Sequence, residues 1–364
     1  LVKFIIAALN LDPESVAYIS FTGKAAQVLR QKGNPNATTA HKLLYFSKRM
    51  KDGRYAFIPR KSIDNYKLIV VDEVSMLPKK MWDLLLSHHK YVIALGDPEQ
   101  LPPIDKTQDN HVLDTPHVFL DEVMRQAKGS EIVRLSMWIR ENKPVSMFPF
   151  AGEEVQYFKA KDLSMGMLLW ADQILCATNR TRNLLNSTVR EALGYGPLPD
   201  EKDKLICLHN HWDYESASGE WALTNGVIGR VENYNIVTER SPAFRNLDSK
   251  NVDIMYTDIL LEDGDRFVNC PIDYNCLLTG QPAFTPKELY ILNKNKPKSE
   301  DMPCFTPPYE FAYGYAITSH KAQGSQWDKV TVLEERFPYD KDEHRRWLYT
   351  SCTRASKRLT LVGQ

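Results

Sequence analysis

The sequence predicts an α/β chain built on parallel sheets, with a smaller antiparallel β region inserted late. Three observations carry this. Residues 66–71 (YKLIVV) and 91–95 (YVIAL) are continuous apolar runs, the pattern of strands buried on both faces of a parallel sheet, and they alternate with helical stretches such as Lys79–Ser87. Both runs end in acidic clusters, Asp72-Glu73 and Asp97-Pro98-Glu99. From residue 232 to about 308 the chain changes to short β-type runs separated by polar turns.

The bulk properties bound the answer. At 364 residues the chain exceeds one ordinary core and fits roughly two or three domains. No apolar run approaches the roughly 20 residues needed to span a bilayer, so no membrane partner is expected. The six cysteines (176, 207, 270, 276, 304 and 352) are scattered without a CxxC pair, which predicts reduced thiols and a cytoplasmic setting. Formal net charge is zero, so any contact with nucleic acid must come from local patches. The chain opens at Leu1, inside an amphipathic helical pattern with no cap ahead of it, and the expectation is that residues precede it.

In chain order, residues 16–20 form a short buried strand. A tight turn and a helix over 22–30 follow. Thr22-Gly23-Lys24 is not a phosphate loop, because G-x-x-x-x-G-K-[ST] needs an earlier glycine and a hydroxyl after the lysine; Ala25 stands there, and no other segment fits. Thr38 or Thr39 is a candidate N-cap for a helix carrying Leu43 and Leu44, and His41 lies in its first turn. Residues 47–60 are polar and basic around the turn signal Asp52-Gly53, with Tyr55, Phe57 and Ile58 beyond it. This is either a solvated surface hairpin or an apolar-tipped projection that touches nucleic acid.

Ligands of such sheets sit outside the carboxyl ends of the strands, where Asp72, Glu73, Asp97 and Gln100 fall. An Asp closing a strand can hold Mg²⁺ through oxygen, a neighbouring Glu can orient or deprotonate water, and Gln100 can position one. Arg125 is a surface arginine or, beside a phosphate, a charge clamp.

Residues 141–155 mark a domain boundary. Strands are expected at 173–179, 204–208 and 226–231, with a helix running to Arg190. Cys207, His209 and His211 alternate on one extended segment; they read as a strand edge or, given a fourth ligand, a metal site. The stretch 315–328 (YAITSHKAQGSQWD) packs His, Lys, Gln and Gly between two core segments, where functional loops concentrate. A strand at 330–333, a helix through Arg354 and a strand at 359–362 complete the chain.

In this order, residues 20–26 (SFTGKAA), 39–41 (TAH), 71–76 (VDEVSM), 96–103 (GDPEQLPP), 124–126 (MRQ), 315–328 and 349–355 (YTSCTRA) resemble the superfamily 1B DNA helicases of the RecD/Dda type, from phage or bacteria. The matching segments span nearly the whole chain. The resemblance implies two RecA-like P-loop NTPase cores, with ATP between them. The first would cover 1–145 with a hairpin insert at about 47–61, the second 146–231 and 309–364, and an SH3-like β insert 232–308.

By the same resemblance Asp72 holds Mg²⁺, Glu73 activates water, Gln100 senses the γ-phosphate, and Arg125 and Arg354 stabilise transition-state charge. Asp97, Gln323 and Gly324 face the nucleotide. Thr22, Lys24, His41, Pro102, Thr318, Ser319 and His320 line a single-stranded DNA track, and Phe57 belongs to a pin at the duplex junction. Movement is 5′ to 3′, by a monomer, in partnership with replication, repair or recombination proteins. The family's glycine-rich phosphate loop falls ahead of Leu1, so ATP hydrolysis is expected of the intact parent and impaired in this chain. A non-motor single-strand-binding protein, an RNA-directed NTPase and a β-rich module on an inert scaffold remain alternatives.

Overall fold

Strand β1 (Val16–Ser20) lies parallel to β5 (Leu68–Asp72), which lies parallel to β6 (Tyr91–Ala94); β2 (Thr38–Thr39) adds to the other side of β1, giving the order β2-β1-β5-β6. The sheet forms because β5 is apolar at every position from Leu68 to Val71, each at most 3% exposed, so both faces must be covered. Helix Lys79–Ser87, between β5 and β6 in the chain, buries Met81 and Leu85 one turn apart and packs against helix Ala40–Leu44. Helix Gly23–Gln31 starts where Thr22 Oγ1 accepts the Ala25 amide at 3.2 Å, and Thr39 Oγ1 accepts the Lys42 amide at 3.2 Å to start helix Ala40–Leu44. Of the two threonines open as caps, Thr39 takes the position.

The computed structural model describes residues 2–49, 55–102, 106–120, 129–295, 305–337 and 340–363. It divides into two units: Leu1–Leu44, Pro59–Val189 and Tyr315–Gln364 in one, Tyr45–Ile58 and Arg190–Gly314 in the other. The first unit also holds a second all-parallel sheet, ordered β16 (Ala316–Thr318), β8 (Gln173–Cys176), β17 (Trp327–Leu333), β18 (Ala355–Gly363) and β7 (Val155–Lys159). These are the two RecA-like cores expected of the sequence. Helix Lys341–Cys352 packs on the second sheet through Trp347, Leu348 and Cys352, and Asp340 caps it by accepting the Asp342 and Glu343 amides, both at 3.0 Å.

The other unit is β-rich. Its main sheet is antiparallel, ordered β14 (Arg266–Asp273), β13 (Asn251–Leu260), β12 (Ile228–Arg240), β9 (Lys204–Cys207) and β15 (Phe311–Tyr313). Strands β10 (His211–Glu215) and β11 (Ala222–Leu223) form a second small sheet. The core contains Leu205, Trp221, Val231, Met255, Ile259, Phe267 and Phe311. Arg190 and Asp203, both buried, pair at 3.1 Å, with the guanidinium 4.0 Å over the Tyr313 ring. This unit begins earlier and ends later than the expected 232–308, because β9 and β15 pair with each other and β9 with β12, not with the parallel sheet. The hairpin strands β3 (Tyr45–Arg49) and β4 (Tyr55–Pro59) group with it up to Ile58; the expected turn at Asp52-Gly53 lies outside the described residues.

One buried carboxylate ties the region around residue 150 to the second core. Glu131, 2% exposed, accepts the amides of Ala151 (2.8 Å), Gly152 (3.0 Å) and Val155 (3.2 Å). Burial alone would raise its carboxyl, but those three N–H groups and Arg134 outweigh it and hold the pKa below the ordinary range. Its stabilisation is therefore present above the ordinary carboxylate pKa and lost as pH falls through the folded value. Glu131→Ala leaves those amides without an acceptor and should cost about 2–4 kcal/mol in urea unfolding at pH 7. A loss under 1 kcal/mol would mean that water replaces the carboxylate at little cost.

Candidate nucleotide site at the carboxyl ends of the first sheet

The chain leaves β5 at Asp72 and bends at once: Glu73 has φ 51° and ψ 49°, a left-handed conformation uncommon for a residue with a side chain. Such strain persists only where surrounding structure enforces it, and functional sites are where it clusters. The bend is held by the Val74 amide, which donates to the Leu95 carbonyl at 2.9 Å. Burial pushes the Asp72 and Glu73 carboxyls above their ordinary values, and no salt bridge to either occurs among the described residues. Arg354 works against the shift at Glu73, while Asp72 adds to it.

Gln100 is 9% exposed; its side chain hydrogen-bonds Glu73, while its Oε1, buried, has no partner among the described residues. Arg354, 6% exposed, donates to the carbonyls of Thr350 at 3.0 Å and Ser325 at 3.3 Å and to Thr353 Oγ1 at 3.2 Å, all uncharged acceptors. Burial lowers its pKa, with Glu73 the largest opposing influence. The Glu73 carboxylate, at the end of one sheet, and the Arg354 guanidinium, beside the other, thus act on each other.

The loop after β6 holds the two cores together. Leu101 donates its amide to Thr350 Oγ1 at 2.9 Å and accepts the Gln323 side-chain amide on its carbonyl at 2.8 Å. Asp97 accepts the Tyr349 hydroxyl on Oδ2 and the Glu99 amide on Oδ1 at 3.0 Å. Glu99 pairs with Arg345, and Arg140 lies 5.8 Å over the Tyr349 ring. Gly324, at φ 75°, closes a further contact: a β-carbon there would lie 2.9 Å from Thr22 Oγ1 and 3.1 Å from the Ala25 β-carbon. Tyr349, Thr350, Arg345 and Glu99 were not foreseen. Their partners lie about 250 positions away in sequence, and local pattern carries no signal of such pairing.

The remaining expected residues divide. Asp72, Glu73, Gln100 and Arg354 are brought together. Asp97 and Gln323 sit beside them, but their bonded atoms serve the junction between the cores. Arg125 lies outside the described residues. Thr22, Lys24, Pro102, Thr318 and His320 are half-buried, and burial pushes the imidazoles of His41 and His320 below the ordinary value, so both are neutral at pH 7. Ser319 must be corrected: it is fully buried, its hydroxyl 2.7 Å from that of Ser351 and 3.4 Å from the Cys176 carbonyl, so in this structure it packs a helix and presents nothing to a strand of nucleic acid.

Phe57, in the β-rich unit, meets Tyr45 and Trp212 edge to face at 6.0 and 6.2 Å. Cys207, His209 and His211 point three ways: the thiol to the His209 carbonyl at 3.1 Å, His209 to Glu310 at 2.9 Å, and His211 against the Tyr309 ring at 3.9 Å. No metal-holding group of three His, Cys, Asp or Glu side chains occurs among the described residues.

Two parallel-sheet cores joined at such a site define a RecA-like two-core α/β protein. Residues 2–160 match the family model of an AAA domain and residues 313–362 that of a UvrD-like helicase C-terminal domain. A Pif1 helicase from Candida albicans is 17% identical, with 99% of this chain and 87% of that one covered and a TM-score of 0.51. A Bacteroides Pif1 bound to ssDNA is 15% identical, with coverage of 99% and 84% and a TM-score of 0.49. At these identities the likeness is one of fold. An uncharacterized protein of Acanthamoeba polyphaga mimivirus is 33% identical over 155 residues; the match covers 34% of this chain and 30% of that protein, so the chain spans under a third of that relative's length.

The raised Asp72 carboxyl sets a stability test. Between its ordinary value of 3.8 and the raised folded value, the native state binds more protons than the unfolded, so stability falls as pH rises through that window. Asp72→Asn should therefore melt higher than the parent chain at pH 7. The gain should shrink as pH falls and vanish near about pH 4. Equal melting temperatures at pH 7 would show that burial costs Asp72 nothing.

Proposed function

We propose that these residues form the frame of a nucleotide-driven DNA helicase which, together with a phosphate loop, translocates 5′ to 3′ along single-stranded DNA and separates the duplex ahead. The observation that carries the reading is the facing of Glu73 and Arg354 across two parallel sheets whose junction is clamped at residues 97–101. The donor set suits ATP with Mg²⁺: two half-buried carboxylates pushed toward the neutral form gain from a divalent cation, and Gln100 Oε1, without a partner among the described residues, suits a water. Mg²⁺, when bound, supplies Lewis-acid polarisation of phosphoryl oxygens.

The chain's own residues do the rest. Asp72 holds the cation. Glu73, its carboxyl raised, takes a proton from water that Gln100 orients. Arg354, hydrogen-bonded only to neutral groups among the described residues, offers positive charge to phosphoryl oxygens. Any nucleotide that draws Arg354 toward the first core pulls on Tyr349 and Thr350, five and four residues earlier in the chain, and through them on Asp97 and Leu101. Gln323 and Gly324 carry the same displacement to Thr22 and the helix it caps. Lys24, His41, Thr318 and His320 are proposed to line the strand, with the neutral histidines stacking or hydrogen-bonding, since they carry no charge to pair with phosphate. Phe57 is proposed to meet the duplex as a pin.

The 364 residues contain no G-x-x-x-x-G-K-[ST], and backbone amides and a lysine of that kind are the usual cradle of the β- and γ-phosphates. DNA-stimulated phosphate release by the 364-residue chain is therefore expected to be weak, and robust release would remove this inference. In a chain preceded by such a loop, Glu73→Gln should abolish hydrolysis while single-stranded DNA still binds. Arg354→Ala should slow hydrolysis by about 10³-fold or more. Turnover surviving both changes would sink the assignment. Phe57→Ala should reduce unwinding of a forked duplex several-fold more than it reduces DNA-stimulated hydrolysis; equal losses would take Phe57 out of the pin.

A further inference from the structure

Strands β12, β13 and β14 lose regular pairing in one neighbourhood. The β12–β13 register slips between Val231 and Tyr234, the β13–β14 register slips between Thr257 and Ile259, and Asn269 on β14 takes a left-handed φ of 55°. A bulge bends its strand and re-aims the side chains it carries, and bulges concentrate beside binding sites. These irregularities adjoin a cavity of about 440 Å³ lined by Asn233, Tyr234, Asn235, Tyr256, Asp258 and Asn269, together with the buried Thr257. That volume is within the range of small-ligand sites.

The lining is particular in what it offers. Tyr256 is committed, its hydroxyl donating to Glu239 at 2.6 Å, and Asp258 accepts the Asn269 backbone amide at 2.7 Å. The side-chain amides of Asn233, Asn235 and Asn269 bond to none of the described residues, and each carries two donors and an acceptor. Tyr234 as a whole is 36% exposed. No lysine or arginine lines the cavity, so it has nothing to hold a phosphate. Neutral donor–acceptor groups beside an aromatic face match a planar heterocycle with hydrogen-bonding edges.

We propose that this cavity takes one nucleobase of a single strand, its ring against Tyr234 and its edge on the asparagine amides. The identity of the ligand rests on the helicase reading above; the cavity does not. Holding a base without its phosphate gives the β-rich unit a grip that is insensitive to salt, in contrast to grips through lysine and arginine.

The test is titration of a fluorescent single-stranded oligonucleotide with the 364-residue chain over a series of salt concentrations. Tyr234→Ala and Asn235→Ala should each weaken binding by about tenfold with the slope of log K against log salt unchanged, while Tyr234→Phe binds as the parent does. A single abasic position, scanned along the oligonucleotide, should weaken the parent chain at one place and leave Tyr234→Ala unaffected there. Unchanged affinity in both alanine variants, or a loss accompanied by a smaller salt slope, overturns the proposal. If the parent chain binds no oligonucleotide, the helicase reading fails and the cavity is decided by saturation-transfer NMR with thymidine and methyl glucoside. A thymidine signal that is present in the parent and absent in Tyr234→Ala then supports a base site; a signal from the glucoside alone, or from neither compound, refutes it.

Discussion

Everything in the first unit depends on the five residues from Asp97 to Leu101. They leave a strand of the first sheet and are gripped at both ends by the second core: Tyr349 on Asp97, Arg345 on Glu99, Thr350 and Gln323 on the amide and carbonyl of Leu101. A backbone amide and carbonyl buried in an interface must find partners, because leaving either bare costs about 1–3 kcal/mol. The grip therefore specifies a register between the cores more sharply than apolar contact alone. Gln100, between the gripped ends, is the residue that reaches Glu73. Whatever displaces the loop displaces the side chain bonded to Glu73.

The charges at this junction are arranged at a cost. Asp72 and Glu73 are half-buried without an ion pair among the described residues, and Arg354 is buried with neutral hydrogen-bond acceptors only. A hydrophobic replacement of similar shape would serve stability as well or better. Such a pattern is that of a binding site more than of a stabilising core, and it is what the proposed binding of a cation and of anionic oxygens draws on. The left-handed turn at Glu73 is of the same kind, a local penalty retained because it aims a carboxylate off the end of a buried strand.

What the sequence made legible follows from the range over which its signals act. The strand ends were readable because four consecutive buried residues in β5 leave no solvated face, and a carboxylate closing such a run must lie at the sheet's edge. Strand pairing was not. The runs at 204–208 and 226–231 look like any others in isolation, and only their antiparallel pairing with each other, and that of β9 with β15, removes them from the parallel core. The hairpin's allegiance was hidden for the same reason, since the Phe57–Trp212 contact joins positions 155 apart. Ser319 misled because a hydroxyl in a polar loop reads as exposed, whereas its bond to Ser351 lets it be buried at no cost.

The two parallel sheets also differ in what they can bind. In the second, the crevice between the carboxyl ends of β8 and β17 is the switch point of the strand order, where a ligand would enter an open α/β sheet. There the carboxylate of Glu335 accepts the amides of Ala177 and Thr178 and the hydroxyls of Thr178 and Thr181, at the start of helix Asn179–Ala192. Amides at a helix start are the groups that would hold a phosphate, and the chain's own anion already occupies them. A phosphate brought there would meet like charge and find its donors taken. The first sheet presents the opposite condition, carboxyls raised by burial with no ion pair among the described residues. The two cores thus differ in the charge they present at their strand ends, one with its anion already bonded to amides and hydroxyls and the other with carboxyls that burial raises.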